Sequence, residues 1–268
     1  MSFSNFEAII TFEVSKNDRE ANPMSEEWYN GVYFNRKFLF RFGDCDSRKK
    51  ASLYSMMKLL SELSGEDYER RGVGYELLAK SGQAMLLSRM RLKFSRLPDH
   101  IENVVATTWE RGVKGPYFFR DYEITTETGE LLCSGSSDWF LVDITTREIL
   151  RPSALTVGDR QLETRKSDAP ECEKLRKIEA LPLLGKRPVF YTDLDGNGHV
   201  NNAVYARIAV DFLPDAIRGK EMKEFSINFF IETKLGETLE LTGTETVNGF
   251  AIQGSANGTH RFGCEFAF

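Results

Sequence analysis

The pattern of apolar and polar positions first predicts a strand and then a helix. Aromatic and aliphatic residues alternate with polar ones over residues 31–42, and the turn at residues 43–46 ends this strand. Apolar residues then recur at helical spacing at Leu53, Met56, Met57, Leu60 and Leu63. Four strands are predicted after this helix, at residues 85–97, 103–111, 117–126 and 130–142.

The same order of elements recurs after a polar segment that lacks sheet alternation. A strand is predicted at residues 189–191 and a helix from Asn201 to about Ile217, followed by strands at residues 224–232, 238–246, 250–254 and 260–268. We therefore expect an extension at residues 1–30, a first unit at 31–150, a linker at 151–182 and a second unit at 183–268.

The turns before the two predicted helices resemble each other. The stretch from Phe42 to Asp46 aligns with the stretch from Tyr191 to Asp195, and each precedes an apolar-faced helix. At this alignment Arg48 and Lys50 occupy the positions of Asn197 and His199. The pattern predicts one fold present twice, with an amide and an imidazole only in the second copy. Chance similarity of two Asp-x-Asp turns is the alternative.

Composition narrows the class of protein. The chain has 268 residues, a formal net charge of -5 and four scattered cysteines without a CxxC pair, which fits reduced thiols in a cytoplasm. Its N-terminus is acidic, and it lacks the apolar run of about 20 residues that a membrane helix needs. We expect a cytoplasmic protein that uses no cofactor or metal and binds neither membrane nor nucleic acid.

The second turn carries the candidate chemistry. Asp195, Asn197 and His199 alternate just before a helix, where side chains and backbone N–H groups can point at one place. Imidazole is suited to proton transfer near neutral pH. The alternative interpretation is structural, because Asp, Asn and Gly are common in tight turns and at helix N-caps.

These motifs resemble the acyl-acyl carrier protein thioesterases of bacteria and plastids. The resemblance rests on Asp195-x-Asn197-x-His199-x-Asn201-Asn202, on Ile231-Glu232-Thr233, and on two first-half stretches at residues 43–52 and 136–140. It implies an α+β fold of two tandem hotdogs, each a curved antiparallel sheet wrapped around a central helix. It also implies hydrolysis of fatty acyl-carrier thioesters, with catalysis in the second hotdog and the acyl pocket in the first.

The resemblance assigns roles that agree with the chemistry of the residues. His199 and Glu232 can supply the base, Asn197 can orient the thioester or its oxyanion, and Asp195 is expected to be an orienting carboxylate or shared base. Plant members of the family have a Cys after the equivalent Glu, where this chain has Thr233. We therefore expect activated water rather than a cysteine nucleophile. An exposed acid at a strand end is the alternative for Glu232.

Two further sets of residues are candidates for substrate and partner binding. Met56, Met57, Leu60, Met85, Leu87, Trp139 and Phe140 could line the acyl tunnel, although such stripes are also typical of plain core. Asn201 and Asn202 are further candidates for substrate contact. Arg89, Arg91 and Lys93 alternate along one strand and could bind the acidic carrier protein, or form a solvated face.

Three other functions remain open from the sequence. An acyl-coenzyme A thioesterase is the nearest, because single-hotdog members carry similar Asp, His and Asn loops. An enoyl hydratase or dehydratase of hotdog fold is the second, although its loop usually has Pro where this chain has Gly198. A non-catalytic acyl-binding module is the third. A monomer and a homodimer are both compatible with two hotdogs in one chain.

Overall fold

The computed structural model describes residues 26–156, 158 and 160–268. Most of the predicted extension lies outside these residues, and its described end forms strand β1. The boundaries expected for the extension, the two units and the linker stay predictions. Below, the first half means residues 26–156 and the second half means residues 183–268.

Each half contains a run of antiparallel strands and one main helix. The first half comprises β1 (Glu27–Asn30), β2 (Tyr33–Phe40), α1 (Leu53–Arg70), α2 (Tyr75–Lys80), β3 (Gln83–Phe94), β4 (Glu102–Lys114), β5 (Tyr117–Thr126), β6 (Leu131–Asp143) and β7 (Ile149–Leu150). The second half comprises β8 (Leu183–Pro188), α3 (Asn202–Asp211), α4 (Asp215–Arg218), β9 (Glu224–Phe229), β10 (Thr238–Glu245), β11 (Gly249–Ala256) and β12 (Thr259–Ala267).

One continuous sheet joins the halves. Its strand order is β1-β2-β4-β5-β6-β3-β9-β12-β11-β10-β8, and β7 pairs with β6. Outward from the β3–β9 junction, the first half places its strands in the order β3-β6-β5-β4-β2, and the second half uses the matching order β9-β12-β11-β10-β8. The junction is antiparallel, with Met90 opposite Ile227 and Leu92 opposite Phe225. The repeat that the sequence predicts is therefore present in the topology.

The two long helices form the centre of the core. Helix α1 begins after Ser52, whose side chain accepts a hydrogen bond from the backbone N–H of Ser55, and α3 begins after Asn201, which accepts from Ala203. Their apolar faces are buried, including Met56 and Met57 of α1 and Ile208 of α3, all 0% exposed. The two helices also contact each other. The core therefore continues from one half to the other.

Several elements differ from the sequence predictions. Residues 191–193 form a 3-10 turn rather than a strand, and the strand before it is β8, at the edge of the sheet. The helix predicted to reach Ile217 ends at Asp211, because Pro214 has no N–H to donate, and α4 starts just after it. Strand β9 ends at Phe229, so Glu232 follows the strand instead of lying on it. The short elements α2 and β7 were not predicted.

The connecting segment crosses the outer face of the sheet near the junction. Asn228 of β9 is 2% exposed and anchors this segment, since its side chain accepts a hydrogen bond from Leu175 N and donates one to Glu173 O. Trp109 likewise donates to Arg165 O. None of the helices within the described ranges has the length and apolar character required to cross a membrane.

Candidate active site

The two turns before α1 and α3 have the same hydrogen-bond pattern. Asp195 N donates to His199 O at 2.8 Å, and at the equivalent place Asp46 N donates to Lys50 O at 2.8 Å. Asn201 N donates to Asp193 O, and Ser52 N donates to Asp44 O, both at 2.9 Å. Asp46 and Asp195 each also accept from the backbone N–H two residues later. The two turns therefore share one backbone arrangement. They differ in the side chains that they carry.

One left-handed residue in each turn sets the direction of the next side chain. Lys49 has φ 61° and Gly198, at the same place in the second turn, has φ 75°. Glycine adopts this conformation without the steric cost that a Cβ brings. Gly198 therefore permits the tight turn that presents His199.

His199 and Glu232 are brought together by two antiparallel segments. His199 forms a backbone bridge with Lys234, and Val200 N donates to Thr233 O at 2.9 Å. This pairing places His199 Nε2 3.1 Å from Glu232 Oε2. The imidazole and carboxylate side chains are 22% and 27% exposed, so both remain accessible. The two expected bases therefore lie side by side, within ion-pair distance of each other.

Glu232 has further partners besides His199. Its second carboxylate oxygen, Oε1, forms an ion pair with the guanidinium of Arg147, which lies in the turn between β6 and β7. Arg261 donates to the backbone carbonyl of Glu232 at 2.8 Å. The carboxylate is therefore held between an imidazole from its own half and an arginine from the first half.

A cavity of about 340 Å³ adjoins this pair and contacts both halves. The second half contributes its polar wall, with Asp195, Asn197, His199, Asn202 and Glu232. The first half contributes an apolar wall that includes Met85, Leu86, Leu87, Trp139, Phe140 and Val142. We call this space the catalytic cavity. Its two walls suit a ligand with a reactive polar group attached to an apolar body.

A second cavity, of about 860 Å³, lies in the first half. It is bordered by α1, the start of α2 and the start of β3, and it shares Met85 and Trp139 with the catalytic cavity. We call it the distal cavity. The two spaces therefore adjoin at these shared side chains.

The four polar loop residues have different surroundings. Asp195 accepts a hydrogen bond from Asn197 N at 2.8 Å, which stabilises the turn, while the partner of the imidazole is Glu232. Among the described residues, the Asn197 carboxamide makes no hydrogen bond, so it is available to a ligand in the cavity that it lines. Asn202 also lines the cavity. Asn201 instead caps helix α3 through its side chain.

The tunnel candidates separate into two groups. Met85, Leu87, Trp139 and Phe140 line the catalytic cavity. Met56, Met57 and Leu60 are 0% exposed and pack in the central core, away from the walls of both cavities. The helical stripe therefore contributes to packing, and the strands supply the cavity wall.

The candidate carrier-binding cations are all ion-paired. Arg89 lies 3.3 Å from Asp138, Arg91 lies 2.9 Å from Glu224, and Lys93 lies 2.7 Å from Asp168. They share one face of β3, as the alternation predicts, but the connecting segment passes over that face and Arg91 contacts Glu171 O. Pairing with carboxylates leaves little free positive charge here. A carrier-binding role for these three residues stays a prediction.

Neither a cysteine nor Thr233 reaches the catalytic cavity. Burial raises the pKa of the Cys133 and Cys264 thiols, and raises that of Cys172 to about 12. Desolvation also raises the pKa of the Cys45 thiol, which lies in the first-half turn. Thr233 is 0% exposed, and its backbone N–H donates to the hydroxyl of Tyr205 at 3.1 Å. The side chains of these five residues therefore lie outside the walls of the catalytic cavity.

Arg147 and Tyr205 are among the residues of the site that the sequence reasoning missed. Arg147 reaches Glu232 from a turn that has no apparent motif, and only three-dimensional proximity reveals it. Tyr205 of α3 lines the catalytic cavity, and burial raises the pKa of its hydroxyl. Its apolar helical spacing indicated only a core position. Tyr205 contacts Phe229 and Phe262, so it also supports the cavity floor.

Comparison with known proteins places this geometry in a family. Residues 31–153 match the family model described as acyl-ACP thioesterase N-terminal domain, and residues 184–266 match the acyl-ACP thioesterase C-terminal domain. Among curated relatives, an acyl-[acyl-carrier-protein] hydrolase of Cuphea viscosissima is 23% identical over 235 residues, covering 79% of this chain and 55% of the relative. A palmitoyl-acyl carrier protein thioesterase of Gossypium hirsutum is 23% identical over 251 residues, covering 88% and 60%. The chain thus spans somewhat more than half the length of these relatives.

Solved structures confirm the double hotdog fold. An acyl-ACP thioesterase from Bacteroides thetaiotaomicron superposes with a TM-score of 0.80 at 20% identity, covering 88% of this chain and 98% of that one. The 12:0-ACP thioesterase from Umbellularia californica gives a TM-score of 0.77 at 20% identity, covering 90% and 98%. The fold, the two matched domains and the relatives agree with the resemblance noted in the sequence. This chain belongs to the acyl-ACP thioesterase family.

Proposed function

We propose that this protein hydrolyses fatty acyl thioesters of acyl carrier protein, releasing free fatty acid and the carrier thiol. The observation that carries the proposal is the pairing of His199 with Glu232, at 3.1 Å, on the polar wall of a cavity whose other wall is apolar. Membership of the family supports the same reaction class. A base beside an apolar pocket is the arrangement that cleavage of a lipid ester requires.

In the proposed mechanism the pair activates a water molecule. His199 and Glu232 accept its proton while its oxygen bonds to the thioester carbonyl carbon. The Asn197 amide donates a hydrogen bond to the oxygen that becomes negative. When the carbon–sulfur bond breaks, the proton returns to the sulfur and the carrier leaves as a thiol. General base catalysis contributes about 10²–10⁴ in rate, and one oxyanion donor about 10²–10³.

The acyl chain is proposed to run from the catalytic cavity toward the distal cavity. It would pass Met85 and Trp139, which contact both spaces. The two volumes, about 340 and 860 Å³, lie in the range of about 300–1,000 Å³ typical of ligand pockets. A short chain would fill the first space, and a longer one would need the second.

The partner in this proposal is the carrier protein with its phosphopantetheine arm. The curated plant relatives carry carrier-protein substrates and chloroplasts in their names, whereas the sequence here predicts a cytoplasmic location. That location, the oligomeric state and the absence of nucleic-acid or membrane partners stay predictions. The proposal requires only that an acyl thioester reaches the catalytic cavity.

The test compares two carriers under identical conditions. Acyl-carrier protein and acyl-coenzyme A with the same chain are incubated with the protein, and free thiol and free fatty acid are measured together. We expect equal release of both products and a higher kcat/KM for the carrier protein. Higher kcat/KM for coenzyme A would make the protein a coenzyme A thioesterase. A parallel assay uses an enoyl chain on the same carriers, where loss of the double bond without thiol release would indicate a hydratase. Binding of the acyl carriers without turnover would indicate an acyl-binding module.

A further inference from the structure

The acid of the catalytic pair is held by a residue from the other half of the molecule. Glu232 uses Oε2 for His199 and Oε1 for Arg147, so the two partners engage opposite oxygens of one carboxylate. A carboxylate that has a partner on only one oxygen can rotate about its side-chain bond. Partners on both oxygens fix the orientation of the carboxylate plane. Arg147 also lines the catalytic cavity, so this contact is made at the edge of the reaction space.

The turn that carries Arg147 is held by several hydrogen bonds. The Asp143 carboxylate accepts hydrogen bonds from the backbone N–H groups of Thr145 and Thr146, both at 2.8 Å, and Asp143 O accepts from Arg147 N at 2.9 Å. Ile144 N donates to Gly82 O at 2.9 Å, which ties the turn to the residue just before β3. The backbone that carries the Arg147 guanidinium is therefore hydrogen-bonded at both ends of the turn.

Arg147 also has a strained backbone. Its φ is 63°, in the left-handed region that favours glycine. The guanidinium is 50% exposed, and exposed ion pairs contribute little to stability, so the contact with Glu232 does not explain why a residue with a Cβ occupies this position. Strained residues that persist beside a reactive site are a frequent sign of a functional constraint.

We propose that Arg147 is a positioning residue that orients the Glu232 carboxylate toward His199. The first half of the chain then contributes more than an apolar wall, because it also aligns the acid–imidazole pair of the second half. The role of Arg147 in turnover rests on the proposed thioester hydrolysis. Its role in orienting the Glu232 carboxylate can be tested by measuring the position of that carboxylate, without any measurement of turnover.

The kinetic test is a double-mutant cycle between Arg147 and Glu232. We expect Arg147→Gln to lower kcat about tenfold or more with KM little changed, because a misplaced catalytic group costs rate rather than binding. Arg147→Lys should recover part of the loss, since it keeps the positive charge. In the Glu232→Gln background, Arg147→Gln should have no further effect. Arg218→Gln, which removes an arginine of similar exposure (45%) paired with Asp215, is the matched control.

The structural test is a crystal structure of Arg147→Gln beside the wild type. We expect the separation of His199 Nε2 and Glu232 Oε2 to lengthen from 3.1 Å to beyond hydrogen-bond range, about 3.5 Å. An unchanged separation overturns the proposal whether or not the protein is a thioesterase. The proposal is also overturned if Arg147→Gln lowers kcat equally in the wild-type and Glu232→Gln backgrounds. It is overturned as well if only KM rises, which would show that Arg147 binds the substrate. Wild type that releases no thiol refutes the proposed function, while the separation still tests Arg147.

Discussion

At the scale of single residues, the site depends on which polar side chains face the cavity. Thr233 directly follows Glu232, yet it is 0% exposed and lies against Tyr205, whose hydroxyl accepts a hydrogen bond from Thr233 N. Its contacts at the site come from the backbone, because its N–H donates to Tyr205 and its carbonyl accepts from Val200 N, next to His199. The hydroxyl of Thr233 is therefore not positioned to attack a substrate.

Thr233→Val should preserve turnover. Valine matches threonine in shape, and the backbone hydrogen bonds of the residue are unaffected by the change. We expect kcat/KM within about twofold of the wild type, since the substitution removes no group that contacts the transition state. Steady-state thiol release on a fatty acyl thioester measures this. A large loss of kcat in a well-folded variant would show that the hydroxyl takes part in the chemistry.

The sequence could indicate most of the polar residues of the site but not all of their partners. The pairing of His199 with Glu232 was expected from the family motif, and the register of the two segments brings it about. Glu232 is the carboxylate that lies beside the imidazole, while one oxygen of Asp195 accepts a hydrogen bond within its own turn and the residue lines the cavity, so the role expected for Asp195 stays a prediction. Arg147 could not be foreseen, since its contact with Glu232 depends on how the two halves pack.

At the scale of elements, the turn before α3 is the part that presents His199. A Cβ added at Gly198 or at Gly196 would have no heavy atom within 4 Å, so neither position is sterically crowded. The two differ in backbone conformation, because only Gly198 has a positive φ. Comparing alanine substitutions at the two positions therefore measures the effect of backbone conformation, because steric crowding is absent at both.

Gly198→Ala should destabilise the protein, and Gly196→Ala should not. We expect a loss of about 1 kcal/mol in the free energy of unfolding for Gly198→Ala, the cost of a Cβ in the left-handed region. We also expect reduced turnover, because a shift of the turn moves His199. Denaturant unfolding and thiol release on both variants provide the measurement. Equal stability of the two variants would contradict this account of the turn.

Strand β6 carries a buried acid whose titration affects stability. Burial raises the pKa of Asp138 from its ordinary value of 3.8 to about 6, although the Arg89 guanidinium beside it acts in the opposite direction. The folded state therefore holds this proton more tightly than the unfolded state does. As pH rises from 4 to 6, the unfolded chain loses its proton first, and the free energy of unfolding falls.

Asp138→Asn should remove this dependence. Relative to the variant, the wild type should lose about 2 kcal/mol of stability between pH 4 and pH 6, since each pH unit over which only the folded state holds the proton costs about 1.4 kcal/mol. Glu102→Gln is a control in which the pH dependence should have the opposite sign. Hydrogen bonds from Arg96 hold the pKa of Glu102 below its usual range, so this carboxylate makes the free energy of unfolding rise as pH rises. Urea unfolding at several pH values measures both. Parallel pH profiles for wild type and Asp138→Asn would contradict the prediction.

The elements that the sequence predicted well are those with long, regular patterns. Helix α1 and strands β3 to β6 follow their apolar periodicity, because one face of each packs on the core. Strand β8 was misplaced because it lies at the sheet edge and mixes exposed and half-buried residues without a clear alternation. Pro214 separates α3 from α4, and this helix boundary could have been predicted from the proline in the sequence.

At the scale of the whole molecule, the halves share one sheet and one core. The β3–β9 pair joins the sheets, and α1 contacts α3. Ile227 is 0% exposed at this junction and lies opposite Met90. Such a shared core couples the stability of one half to that of the other, and it keeps the apolar wall of the catalytic cavity in place against the polar wall.

We expect the protein to unfold in one cooperative transition. Ile227→Ala should lower the free energy of unfolding by about 3 kcal/mol through lost contacts and a cavity, while the transition stays single. Calorimetry on wild type and variant, comparing calorimetric and van't Hoff enthalpies, checks this. Two separate transitions in the wild type would show that the halves are independent.

The most direct test of the whole account measures thiol release from acyl-carrier protein by His199→Ala and Glu232→Gln. His100→Ala and Glu240→Gln replace the same residue types outside the catalytic cavity and serve as controls. We predict that each site variant folds normally and loses about 10²–10⁴ in kcat/KM, while the controls keep wild-type rates. Wild-type turnover in folded His199→Ala and Glu232→Gln would contradict the claim that this pair cleaves the thioester.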